Sequence, residues 1–81
     1  MKIITHVLIG SDNFSNEYYI DSMHTSYEDA FAEMMSKEPN GSLPDTYTIE
    51  TVDEAYSVFR REPDYFLYRL DEENKKLAAI A

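Results

Sequence analysis

Between Thr46 and Leu70 the spacing of apolar residues changes period twice, and the changes mark out three elements. Tyr47 and Ile49 alternate with Thr46, Thr48 and Glu50, the two-residue period of a strand with one buried face. Thr51 then opens a capping box, T-V-D-E. Its hydroxyl is placed to accept from the Glu54 amide, and the Glu54 side chain to reach back to the Thr51 amide. Val52, Ala55, Tyr56 and Phe59 follow at the i, i+3, i+4, i+7 spacing of an amphipathic helix, with Arg60 and Arg61 expected in its last turn and Pro63 as its stop. Tyr65, Phe66, Leu67, Tyr68 and Leu70 form a β-prone run apolar on both faces, which predicts a central strand.

The same reading applied elsewhere gives the remaining elements. Ile3, Thr5, Val7 and Ile9 alternate with Ile4, His6 and Leu8, again apolar on both sides, so this strand belongs inside a sheet. Gly10 to Asn16 is turn chemistry. Glu17 to Met23 resumes as a strand, with Tyr18 and Ile20 expected inward and Glu17, Tyr19 and Asp21 outward. A helix follows, capped by Thr25 with Glu28 or by Ser26 with Asp29, its stripe made of Tyr27, Ala30, Phe31, Met34 and Met35. Pro39 to Asp45 reads as a connection, Asp71 to Asn74 as a turn, and Lys75 to Ile80 as a last strand. The expected order is β-β-α-β-α-β-β. It describes an α+β fold with a single, mainly antiparallel sheet under two amphipathic helices, in one compact domain over residues 1–81.

Charge adds a second layer. Sixteen acids against seven bases give a net charge of −9. Residues 3–59 hold eleven of the acids and a single base, Lys37, whereas residues 60–81 hold five of each sign. A field of that sign repels phosphate and anionic lipid and attracts basic surfaces, so the expected partner is a basic protein surface rather than nucleic acid or membrane. The absence of cysteine excludes a disulfide framework and fits a reducing compartment. With no leader-like or spanning stretch, the expected location is the cytoplasm.

Candidate chemistry is sparse. Asp12 to Glu17 resembles a calcium loop only superficially, because Phe14 and Glu17 break the ligand pattern, and two glycines are too few for a phosphate-cradling loop. His6 reads as a partly buried strand residue and His24 as a surface turn residue, and no serine is tied by sequence to a base. Neither an enzyme nor a cofactor is expected. Seven tyrosines in so short a chain are mostly core by periodicity, with an exposed subset such as Tyr19 among neighbouring acids offering a contact patch. On the first helix Asp29 and Glu33 repel at i, i+4, an arrangement that folding alone does not favour. Glu28, Asp29, Glu33, Asp12, Glu17, Tyr19 and Asp21 are therefore the expected partner-binding residues.

In size, charge and architecture the chain resembles the small acidic inhibitors carried by phages and mobile elements, of anti-restriction, anti-CRISPR or DNA-mimic type. That resemblance implies carboxylates that occupy the basic nucleic-acid groove of a host enzyme. The competing expectation is a soluble accessory module, including one that forms a homodimer through a sheet edge.

Overall fold

The computed structural model describes residues 2–37 and 46–80, so the expected Pro39–Asp45 connection lies outside the described residues. Strands β1 (His6–Ser11), β2 (Tyr18–His24) and β3 (Thr46–Thr51) form an antiparallel sheet in the order β2-β1-β3. Helices α1 (Tyr27–Ser36), α2 (Val52–Val58) and α3 (Pro63–Ile80) complete an α+β fold.

Strand β1 is central, as its two apolar faces require: Val7, Leu8, Ile9 and Gly10 are all buried. The two faces are covered separately, giving three layers instead of a sheet under two helices. Val7 and Ile9 join Ile20, Met23, Ala55, Phe59 and Phe66 in one core, with Val52, Leu70 and Leu77 packed against it. Leu8, fully buried, points to the opposite face beside its cross-strand neighbours Ser22 and Ile49, where α1 and its one fully buried residue, Ala30, lie across all three strands. The two helices that share a period in sequence thus pack on opposite sides of the sheet.

Two irregularities set which residues face which layer. The β1–β2 register slips between Leu8 and Ile9, whose partners are Ser22 and Ile20, leaving Asp21 as the extra residue of a β-bulge. The bulge lets Ile20 and Met23, an odd number of positions apart, enter the same core. The second irregularity is at the start of the chain, where β1 begins only at His6. Ile4 is buried with Val7 while Ile3 is 57% exposed, so the alternation expected over residues 3–9 does not hold before His6.

The largest correction concerns residues 63–80. The expected strand at Tyr65–Leu70, the turn at Asp71–Asn74 and the strand at Lys75–Ile80 are one continuous helix. Pro63 does not stop α2, which has already ended at its C-cap, Phe59; it opens α3, where its missing N–H and fixed φ suit the first helical position. Arg60 and Arg61 therefore lie in the turn between two helices, not in a helical last turn. The aromatic run favours strands by propensity, but Phe66, Leu70 and Leu77 make a helical stripe that the core accepts. On the solvent side Lys75 pairs with Asp71 at 3.2 Å and Lys76 with Glu73 at 3.5 Å, i, i+4 and i, i+3 contacts that exist only in a helix. Asn74 sits mid-helix, and its side-chain Oδ1 accepts from the Ile4 N–H at 2.9 Å, tying α3 to the segment that leads into β1.

Both expected caps form. Ser26 Oγ accepts from the Asp29 amide at 3.1 Å, selecting the second of the two cap alternatives for α1. Thr51 Oγ1 accepts from the Glu54 amide at 3.4 Å and donates to the Glu54 carboxylate at 2.9 Å, so Glu54 reaches back to the hydroxyl instead of the Thr51 amide.

Phe59 and Phe66 stack at 6.0 Å in the centre of the core, with 5% and 0% exposure. Each truncation to alanine is expected to destabilise by about 3–5 kcal/mol. Because the rings share one contact, the double variant should lose less than the sum of the two. Urea melts of both single variants and the double variant check this, and a Phe66→Ala chain as stable as the parent would place α3 off the core.

Candidate functional site

The residues expected to bind a partner are spread along the α1 side of the sheet and do not form one patch. Glu28 and Asp29 are exposed in the first turn of α1, the favourable end of the helix dipole for acids. Glu33 and Asp21 are brought together, but by Lys37, whose Nζ lies 3.6 Å from Glu33 and 3.4 Å from Asp21. The Asp21 carboxylate, aided by Glu33, holds the Lys37 ammonium above its ordinary pKa. These two acids share one cation and are thus partly compensated within the fold, and the repulsion expected between Asp29 and Glu33 is eased on the Glu33 side.

Asp12 and Glu17 lie in the β1–β2 loop. The Asp12 carboxylate accepts from the Phe14 amide at 2.8 Å and the Ser15 amide at 3.4 Å. Those bonds hold its pKa below the usual carboxylate range, the Phe14 amide first among them. Asn16 takes φ 59°, the left-handed conformation its short polar side chain tolerates, and the loop closes through Asp12 N–H to the Glu17 carbonyl at 2.9 Å. Asp12 is therefore a loop-shaping residue. Among the described residues no group of three or more His, Cys, Asp or Glu side chains is placed to hold a metal ion.

Tyr18 shares the face of Ile20 and Tyr19 takes the other, as expected, but their exposures are the reverse of those expected. Tyr18 is 60% exposed, whereas Tyr19 is half-buried over Gly10, its cross-strand partner, with its hydroxyl 3.4 Å from that of Tyr47. A Cβ at Gly10 would clash with the hydroxyl end of the Tyr19 ring, so this glycine serves close approach between strands. The tyrosine that does stand among free acids is Tyr27, 51% exposed.

Tyr27 belongs to a feature that periodicity alone assigns to the core. Tyr27, Phe31 and Met35 recur every fourth residue on α1 with exposures of 51%, 43% and 45%. Tyr27 stacks on Phe31 at 6.2 Å, and His6 meets the Tyr27 ring edge-on at 5.9 Å. The result is an ordered aromatic stripe open to solvent and bordered at its N-terminal end by Glu28 and Asp29. Large apolar side chains in the middle with charges at the rim is the anatomy of protein-binding hot spots.

The structure also joins side chains that sequence left apart. His6 and His24 are cross-strand partners. Ser22 Oγ is 2.7 Å from His24 Nε2, and the same hydroxyl lies 3.2 Å from Asp21 Oδ2. A serine nucleophile needs its base oriented by a third group. Here the carboxylate accepts from the serine hydroxyl and does not orient the imidazole, so the cluster is a polar clasp at the edge of the sheet. The β-bulge creates it by putting Asp21 and Ser22 on one face.

On the opposite face, where α2 and α3 leave part of the sheet open, lies a cleft of about 630 Å³. Ile9, Tyr18, Thr48, Glu50, Ser57, Val58, Arg60 and Arg61 line it. Burial raises the pKa of Glu50, reinforced by a hydrogen bond with Glu54 and that residue's charge.

Comparison of the chain with protein families, with curated proteins and with solved structures found no match. The fold and its surfaces alone define the class: an acidic α+β domain with an exposed aromatic helix face. Among the described residues no helix is long and apolar enough to cross a membrane.

Two substitutions test these placements. Gly10→Ala should destabilise by about 1–3 kcal/mol through overpacking, and much of that loss should disappear when Tyr19→Ala is added. Additive losses in urea melts would separate the two residues. For Glu50, the folded chain holds its proton more tightly than the unfolded chain does. Its contribution to stability therefore falls as pH rises from the ordinary carboxylate range through the raised value. Glu50→Gln should be more stable than the parent at about pH 7 and indistinguishable from it at about pH 3.

Proposed function

We propose that this is a protein-binding domain that docks α1 on a basic protein surface, acting as an inhibitor that occupies the nucleic-acid-binding surface of a host enzyme. One observation carries the reading: the exposed stripe Tyr27–Phe31–Met35 lies on the helix whose first turn holds two carboxylates without an ion pair, Glu28 and Asp29, on the acidic part of the chain. Among the described residues no charged side chain is buried, so the acidity is presented to solvent. Lys37, the one base in residues 3–59, is held by Asp21 and Glu33, and Lys2, which lines a hollow beside Asp29, lies outside ion-pair distance of it.

The two parts of the surface have different physical roles. Carboxylates steer a basic partner at long range, an effect that salt screens within about 10 Å at 0.1 M. The aromatic stripe supplies the apolar area that holds the complex once formed. A partner recognised in this way presents arginines or lysines around an apolar or aromatic side chain. Nucleic-acid-handling enzymes offer such surfaces, and a carboxylate array excludes their substrate by occupying the same cations. No catalytic step is part of this reading.

The test uses a captured basic partner and its own nucleic acid. The protein and the nucleic acid should compete for that partner, and salt should release the complex. Replacing Glu28 and Asp29 by lysine should leave the circular dichroism spectrum intact, lower stability by about 0.3–1 kcal/mol per site through the helix dipole, and slow association while flattening its salt dependence. Tyr27→Ala should act mainly on dissociation. A partner that binds nucleic acid and this chain simultaneously would remove the inhibitor reading. A parent chain that captures no basic protein would leave the plain accessory module.

A further inference from the structure

Arg60 and Arg61 differ from the lysines whose partners the fold supplies. Lys37 is held by Asp21 and Glu33, Lys75 by Asp71 and Glu72, and Lys76 by Glu73. Among the described residues neither Arg60 nor Arg61 has a carboxylate within ion-pair distance, in a chain with sixteen acids and seven bases. Adjacent in the turn between α2 and α3, the two cations repel each other, and that turn needs neither of them: it is closed by backbone bonds, Arg60 N–H to the Ser57 carbonyl and Glu62 N–H to the Phe59 carbonyl. Both arginines border the cleft on the α2 side of the sheet.

The rest of that cleft is chemically varied. Its floor is Ile9, only 2% exposed, and Val58 adds a second apolar side chain from α2. Tyr18 contributes an accessible ring, Thr48 and Ser57 contribute hydroxyls, and Glu50 a carboxyl group. A volume of about 630 Å³ lies within the range of small-molecule sites.

We propose that this cleft binds a small anionic ligand carrying an aromatic or apolar group. The anion is held by Arg60 and Arg61, whose planar forks suit carboxylate and phosphate oxygens alike. The apolar group lies over Ile9 and Val58 and against Tyr18, while Thr48, Ser57 and Glu50 take hydrogen bonds from its polar substituents. A nucleic-acid strand does not fit the same chemistry. Glu50 lines the cleft, Asp53 and Glu54 follow it on the same connected segment, and a polyphosphate leaving the arginines meets repulsion there. This site lies across the sheet from α1, so it does not depend on the docking function proposed above.

The test is an amide NMR titration of the full chain with four probes: 3-phenylpropionate, adenosine monophosphate, inorganic phosphate and benzyl alcohol. Saturable shifts confined to the Ile9, Tyr18, Thr48 and Val58 region are expected with phenylpropionate or the nucleotide, and the stronger of the two identifies carboxylate or phosphate as the preferred anion. Phosphate alone, lacking the apolar group, and benzyl alcohol, lacking the charge, should each bind at least about tenfold more weakly. Arg60→Ala with Arg61→Ala should weaken the better probe by about tenfold or more. Tyr18→Ala, at a position 60% exposed and hence tolerant of change, should weaken it without loss of fold. Absence of saturable shifts with both amphiphilic anions overturns the proposal, as does a folded double-arginine variant that binds them unchanged.

Discussion

The structure depends on the need to cover β1 on both sides. Four consecutive residues, Val7 to Gly10, are buried in that one strand, so each face of a three-stranded sheet must carry its own helical layer. With α1 on one face, the residues after α2 must complete the other. A further pair of strands would widen the sheet and leave Val7, Ile9, Ile20 and Met23 open. A long helix carrying Phe66, Leu70 and Leu77 closes over them. The bond from Ile4 N–H to Asn74 then joins residues seventy positions apart and fixes that helix against the start of the chain.

The same constraint accounts for what remains outside. A chain of this size has little interior. Once Phe59 and Phe66 fill the α2–α3 core and Leu8 with Ala30 fills the other, the rings of Tyr27, Phe31, Tyr18 and Tyr68 have no interior left to enter. Tyr27 and Phe31 are not left loose: they stack, and His6 braces the first of them. The surface therefore carries two chemically different regions on opposite sides of the sheet. One is aromatic with an acidic border on α1, the other a cleft with two arginines beneath α2. Lys37 sharpens the first by pairing with Asp21 and Glu33, so that the acids of α1 without an ion pair lie at its N-terminal end.

Where local chemistry decides the outcome, the sequence is sufficient. Ser26 and Thr51 cap their helices because a hydroxyl beside free amides meets its partner within one turn, whatever the rest of the chain does. The two-faced apolar pattern of β1 puts it in the middle of the sheet, and the net charge is a matter of composition. Tertiary structure decides the rest. Tyr65 to Leu70 has strand propensity on its own, yet becomes helix because the open face of the sheet accepts a helical stripe and Lys75 and Lys76 find acids one turn back. Tyr18 shares the face of Ile20, yet it stays exposed because α2 and α3 leave that part of the sheet open, whereas Tyr19, on the other face, packs against Gly10 and reaches the Tyr47 hydroxyl. Likewise, the helical period marks Tyr27, Phe31 and Met35 as apolar, but only the area available on the sheet leaves them facing solvent, because periodicity records which residues share a face and not how much surface exists to cover it.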